Sequence, residues 1–421
     1  MFLACRKLTD ECYVHLEKYI SQQQNRVVRM TEEFFRNDCY RSEFEAEVVA
    51  VSGELIILNR TLFYPGGGGQ VCDTGSIGGY AVVNVEYNEQ QEIVHRAPRH
   101  DLKIGDRVQC SVDWERRYDL MKGHTAEHLL FSALHLQDPA INIVKIFISP
   151  EDKHVVIDKD MSWDSIAEAT RFANGIIEEN RPVVKSVMSR NDLGIKKVRA
   201  NLERIDGDSV GVVEIKGIDI AACCGIHVAS TSEIGALFVY KKTRAGKDGI
   251  KIHFKIGCAA MVSSISFASS CLSIIDALGS KPNDIVKTVR NVRYELEVLS
   301  GQLKSMAVSY AKIVEPKEVN GSKVYSVMFP ISDHTVLADA AKIHAKKGGV
   351  VVFVGKGSSL AVLVMSSDSR VDCKRVVDEV LLEFGGYGGG CPNSARGNIR
   401  DVTIADDVMS LLLSKVECSL N

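Results

Sequence analysis

The sequence predicts an α+β protein of several domains, and three observations carry that prediction. The chain has 421 residues, more than one ordinary hydrophobic core organises. Its texture changes along its length, from short alternating runs, through mixed strands and helices, to a heptad stretch and a strand–helix alternation. Apolar residues make up 45% and charged residues 25%, the profile of a globular protein with ordinary cores.

Taken in order, residues 1–30 read as an N-terminal extension, helical and Gln-rich from Ser21 to Asn25. Thr31-Glu32-Glu33 follows as an acidic first turn able to open a chain. Residues 31–112 carry short alternating runs (Glu45–Val49, Leu55–Leu58, Tyr80–Val83) divided by glycine-rich turns, the pattern of a small β-barrel. Residues 113–262 form an α+β unit. Its first helix covers 114–139, with Met121, His124, His128 and Phe131 on neighbouring turns, and Pro139 stops it. Strands at Val144–Ile148 and Val155–Ile157 precede a helix at Trp163–Asn180, and further strands run to Ile256.

Residues 263–315 read as a helical linker. Ile285, Val289, Val292, Leu296, Leu299, Leu303, Met306, Tyr310 and Ile313 recur at spacings of four and three, a seam suited to a helical hairpin or a dimer, or to packing on its own domain. Residues 316–421 form an α/β unit. Strands are expected at Val324–Phe329, Val350–Gly355 and Leu360–Met365, and helices at Ala338–Lys347 and Arg370–Phe384. A glycine-rich loop, Gly385–Gly397, closes the series. It either offers backbone N–H groups to a phosphate or is a mobile surface loop.

Composition narrows the function. A net charge of −3 excludes a chain-wide basic field, so a nucleic-acid surface must be local, as at Lys241, Lys242, Arg244 and Lys247. No apolar run is long enough to cross a bilayer, and Met1–Asp10 lacks the layout of a signal peptide, so a cytoplasmic chain is expected. In that compartment the 12 cysteines are thiols or metal ligands. Cys258 and Cys271, in apolar surroundings, are expected to be buried.

Two short motifs carry chemistry. In His124-Thr125-Ala126-Glu127-His128 the histidines stand at i and i+4, on one helical face. Glu127 directly precedes the second histidine, so the general-base layout of His-Glu-x-x-His metalloproteases is absent. In Cys223-Cys224-Gly225-Ile226-His227 a thiol and an imidazole share the same spacing, and Gly225 permits a tight turn. Together they supply His124, His128, Cys223 and His227, the borderline-soft donors that tetrahedral zinc takes. Cys224 is the competing thiol.

These residues carry a resemblance. Thr61–Gln70 with Asp73-Thr74-Gly75, His124–Leu130, Cys223–His227 followed by Ser232–Gly235, and the loop with Pro392 and Ala395 together resemble the AlaX-type alanyl-tRNA editing proteins in their long form. The resemblance runs from near Thr31 almost to the C-terminus. It implies an editing domain of the threonyl/alanyl-tRNA synthetase type at 113–262 and a DHH-associated tRNA-binding domain at 316–421. The activity implied is trans-editing: zinc-dependent hydrolysis of mischarged tRNA(Ala), chiefly Ser-tRNA(Ala) and also Gly-tRNA(Ala), without ATP or a membrane.

Thr125 and Gln70 are the candidate polar contacts to the substrate and Glu127 a candidate base, the alternatives being that the Thr125 hydroxyl bonds back along its helix and that Glu127 is a solvated helix residue. Gly388, Gly389, Gly390, Arg396, Lys241, Lys242 and Arg244 are the implied tRNA contacts, with homodimerisation through the linker and C-terminal domain. The alternative is a tRNA-binding protein with structural zinc and no hydrolase activity; a phosphodiesterase is disfavoured because Asp-His-His is absent. The chain departs from the family at Ile226, where Thr is usual, at Gly66, where a polar residue is common, and at Cys391 and Arg396, which replace Arg and Gln.

Overall fold

The computed structural model describes residues 31–200, 208–247 and 249–421, so the expected N-terminal helix lies outside the described residues. The chain divides into two compact units at Leu272/Ser273.

The first unit contains a seven-stranded antiparallel sheet between Glu43 and Val112. Its two edge strands, Tyr80–Val82 and Asn84–Tyr87, are joined by Val83 alone, so the sheet curls until its edges nearly meet. Strand Glu43–Ser52 alternates exposed and buried residues over its first half, placing Phe44, Ala46 and Val48 inside. Glu32-Glu33 pair in parallel with Arg60-Thr61, and a single 3-10 turn, Phe34–Arg36, starts directly after Glu33.

Helix α1 (Trp114–Gln137) follows, capped by the Asp113 side chain on the Arg116 N–H. Helix α2 is Trp163–Glu178. Both pack on one face of a four-stranded antiparallel sheet, Ile143–Ile148, Lys153–Ile157, Ile250–Ile256 and Leu237–Arg244, in a core that joins Leu129, Leu130, Val155, Ile252 and Phe254. A three-stranded sheet, Val183–Ser189, Ser209–Ile215 and Asp219–Ala222, completes the unit.

Helix α3 (Gly257–Leu278) corrects two expectations. It has 22 residues at a mean hydropathy of 1.8, long and apolar enough by composition to cross a membrane. The serines that interrupt its apolar runs, such as Ser263, Ser264 and Ser269, hide this from a search for continuous runs. Cys258 and Cys271 on it are exposed, since one helix cannot bury every side.

In the second unit, helix α4 (Ile285–Ile313) contains the whole heptad seam. Its Ala307 and Ala311 are buried, while Leu296, Leu299, Leu303 and Met306 stay more than 40% exposed. A six-stranded sheet follows, with Ser322–Phe329 and Val350–Lys356 parallel and the remaining pairs antiparallel. Helices α5 (His334–Ala345), α6 (Cys373–Glu383) and α7 (Ala405–Leu420) complete it. The segment read as a glycine loop is a hairpin instead, Tyr387–Cys391 against Ser394–Ile399. Glycine has no strand signature of its own, so sequence pattern cannot reveal it.

Candidate metal centre

Helix α1 sets His124 and His128 one turn apart, buried at 1% and 4% exposure. Cys223 follows the strand Asp219–Ala222, with its N–H bonded to the Gly211 carbonyl at 2.9 Å. His227 is 2% exposed. One ligand atom from each of the four lies within 4.8 Å of the others. Cys223 Sγ is 3.4 Å from His124 Nε2 and 3.3 Å from His227 Nε2. Cys224 is exposed and outside the cluster.

Each imidazole is oriented through its other nitrogen. His124 Nδ1 donates to Gln70 Oε1 at 2.7 Å, and His128 Nδ1 to Asp219 Oδ2 at 2.9 Å. The Thr125 hydroxyl donates to Met121 O at 3.0 Å, so it accepts from His227 Nδ1 at 3.2 Å and from the Val228 N–H at 3.3 Å. Each Nδ1 is thus taken by a protein partner, which leaves the Nε2 atoms turned toward the cysteine, the arrangement of an imidazole prepared for a metal. Burial raises the Cys223 thiol, but the His124 and His227 rings outweigh it and hold it well below its ordinary pKa. The donor set, three nitrogens and a sulfur of thiolate character, fits a zinc-class ion.

Asp219 and Arg199 were not singled out from the sequence. Arg199 Nη2 donates to Asp219 Oδ2 at 2.7 Å, behind His128. Burial raises the Asp219 carboxyl, yet His128 and Arg199 hold it far below its usual range, so it stays charged. An Asp at the start of a strand carries no local signal for this role; the pairing spans 91 residues.

The glycine-rich segment sets Gln70 beside His124. Gly66, Gly67, Gly68 and Gly69 all have positive φ, from 58° to 131°, a run only glycine adopts freely. A Cβ on Gly69 would meet Ile146 O at 2.4 Å, because the segment docks on the strand edge through Val71 N–H to Ile148 O. Below it, Asp73 accepts from Arg117 Nε at 3.0 Å and from the Tyr64 N–H at 2.6 Å, and neither charged side chain is exposed. The segment is thereby fixed to α1.

Two polar atoms beside the cluster are buried without a partner, Gln70 Nε2 and Glu127 Oε1. Glu127 is 1% exposed, so it is no solvated helix residue. Burial pushes its carboxyl up toward the protonated form. Ile226, the departure from Thr, is buried in the barrel-side core. Gly225 is not at positive φ, so its need is space rather than a turn: a Cβ there would lie 2.2 Å from His124 Cε1.

The remaining expected contacts divide. Lys241 and Arg244 are exposed, but Lys242 is committed to Asp160 at 2.8 Å and Met161 O at 2.7 Å. In the second unit, Gly388, Gly389, Gly390 and Arg396 line one open cleft of about 510 Å³ with His334 and Tyr387. Gly388 and Gly390 are required by close strand approach, since a Cβ there would lie 2.2 Å from Arg396 O and 2.3 Å from Ser394 O, whereas Gly389 faces open space.

Residues 9–116 match the family model of class II (A) tRNA synthetases, and 210–250 match that of the threonyl and alanyl tRNA synthetase second additional domain. The first match begins at residue 9, inside the segment read as an extension and ahead of Thr31. The alanyl-tRNA editing protein AlaX-L of Pyrococcus horikoshii is 26% identical over 93% of this chain and 100% of its own length. The chain is a relative of the AlaX-type editing proteins. The alanine–tRNA ligase of Methanoregula boonei is 29% identical over 90% of this chain but 43% of its own, so the chain spans about two fifths of that enzyme. Among solved structures, the C-Ala domain from Aquifex aeolicus alanyl-tRNA synthetase aligns at a TM-score of 0.22 and 20% identity, over 25% of this chain and 97% of that one.

Proposed function

We propose that the chain is a trans-editing hydrolase that cleaves the ester between a wrong amino acid, chiefly serine and also glycine, and the 3′ end of tRNA(Ala). The observation that carries this reading is the four-residue cluster with two unpartnered buried polar atoms at its side, Gln70 Nε2 and Glu127 Oε1. His124, His128, Cys223 and His227 would hold a zinc ion, which supplies Lewis acidity to an ester carbonyl or to water.

The chain's own residues set selectivity. A synthetase pocket built for alanine rejects serine weakly, because an added hydroxyl shifts apolar packing little. A site that hydrogen-bonds that hydroxyl favours serine over alanine and over glycine, both of which leave the polar group unpaired, so serine is the chief substrate and glycine the slower one. Gln70 suits this task, since its Oε1 is bound to His124 while its Nε2–H is unspent. Thr125, whose hydroxyl already has three partners, positions His227 and the following backbone. Glu127, whose carboxyl burial pushes up, is the proposed proton-transfer group.

The exposed cations Lys241 and Arg244 and the Gly388–Gly390/Arg396 cleft are the proposed tRNA contacts. The exposed α4 seam is the proposed homodimer surface, and the five segments 1–30, 31–112, 113–262, 263–315 and 316–421 the proposed division of labour, in a cytoplasmic protein that needs no ATP. One observation favours the second reading, a tRNA-binding protein with structural zinc: four side chains close a tetrahedral ion without an open position. Deacylation of purified Ser-tRNA(Ala) separates the two. The hydrolase reading expects release of serine that His124→Ala abolishes; a wild-type rate equal to background sinks it.

A further inference from the structure

A second convergence of ligand-type side chains lies on the other face of the four-stranded sheet. Val155, Ile157, Ile252 and Phe254 enter the core, so the alternate residues His154 and His253 project away from it. The two histidines are direct cross-strand partners, with ring centroids 5.0 Å apart. Asp152 stands at the end of the turn before them. That turn is tight: Asp152 N–H donates to Ser149 Oγ at 3.0 Å, and Ser149 N–H to Asp152 O at 2.9 Å. The carboxylate faces both rings, Oδ2 at 2.9 Å from His154 Nδ1 and Oδ1 at 3.0 Å from His253 Nδ1.

We propose that Asp152, His154 and His253 bind a second divalent ion of the zinc class, separate from the Cys–His centre. All three offer one ligand atom within 4.8 Å of the others. Two imidazole nitrogens and a carboxylate oxygen are a donor set that zinc, nickel and cobalt share. The outer contacts are those of a ligand set. Thr243 Oγ1 lies 3.0 Å from His253 Nε2 and orients the ring through the nitrogen that faces away from Asp152. Phe147 stacks on His154 at 5.4 Å and fixes its plane.

The Asp152 side chain is 37% exposed, which leaves the remaining coordination positions to water or an anionic oxygen. Lys251, Lys255 and Lys241 share this face, so the ion is held more weakly than at the four-ligand centre and fills second.

Zinc titration of the full-length protein followed by calorimetry tests this. The wild type takes up a tight and a weaker equivalent. Asp152→Asn, which preserves size at a partly exposed site, and His253→Gln each remove the weaker one alone. Cys223→Ser removes the tight one alone. Cobalt substitution gives an independent signature: a thiolate charge-transfer band belongs to the tight site only, and the weaker equivalent adds d–d bands without one. A single equivalent in the wild type means that the histidines merely share protons with Asp152, and overturns the proposal. So does a second equivalent that persists in both variants, which then belongs to other thiols. Loss of the tight site alone in Cys223→Ser keeps failure of the first centre distinguishable from failure of the second.

Discussion

Gly225→Ala puts the smallest possible perturbation against the cluster. The new methyl would lie 2.2 Å from His124 Cε1 and 2.4 Å from Nδ1, an ångström or more inside the 3.4 Å at which ordinary contact begins. The ring cannot simply swing aside, because Gln70 Oε1 holds its Nδ1 at 2.7 Å. Either His124 leaves the cluster or the Cys223–His227 turn backs away from it, while metal–ligand distances tolerate only about 0.2 Å. Loss of an orienting contact alone weakens metal binding about 10–100-fold. Displacing a ligand lies at or beyond the upper end, about 100-fold or roughly 2.7 kcal/mol. Competition of the purified variant against a chromophoric zinc chelator reads this directly, with circular dichroism confirming an intact fold. Wild-type zinc affinity in Gly225→Ala would refute the placement of His124 as a ligand and the space argument with it.

Three further outcomes follow from named contacts. Asp219→Ala removes the acceptor behind His128 and is expected to lower zinc affinity about 10–100-fold in the same chelator assay, with unchanged affinity counting against an orienting role. Asp73→Ala leaves the fully buried Arg117 unpaired and is expected to cost about 3–5 kcal/mol in denaturant unfolding of the first unit; a loss below 1 kcal/mol would show that the pair is not what fixes the glycine segment. His95, wholly buried against Thr61 and the Ile56 carbonyl, is held by burial at about 4, below its ordinary 6.5. The unfolded chain therefore takes up this proton first, and stability, full above pH 6.5, falls by roughly 3 kcal/mol as pH drops through 4. Unfolding free energies across that window are expected to flatten in His95→Gln, and a slope identical to wild type would remove His95 as the cause.

What the sequence made legible was local. His124 and His128 at i and i+4, and Cys223 and His227 at the same interval, announce ligand-type pairs because helix and turn geometry are set over four residues. Apolar runs located three strands of the second unit to within about two residues at each end, since a strand buried on both faces reads as an almost unbroken apolar run. Long-range pairing was not legible. Asp219 meets His128 across 91 residues, and Asp152 meets His253 across 101. Glycine was misread twice for the same reason: Gly388 and Gly390 allow strands to approach, and Gly225 makes room for a ring, uses that depend on a distant neighbour rather than on the residue's own φ. Helix α3 escaped notice because its hydropathy is an average over scattered serines rather than a run.

The Asp73–Arg117 pair bears on the order in which the molecule is made. A ribosome delivers the strands from Glu43 to Val112 before it delivers α1. Until Arg117 emerges, Asp73 has no cation to meet and keeps its water, and the segment from Leu62 to Gly75 cannot close over it. The curled sheet therefore finishes only after the first turns of α1 have left the exit tunnel. A nascent chain stalled before Arg117 should be open to proteolysis at this segment, and one stalled well beyond it should be resistant.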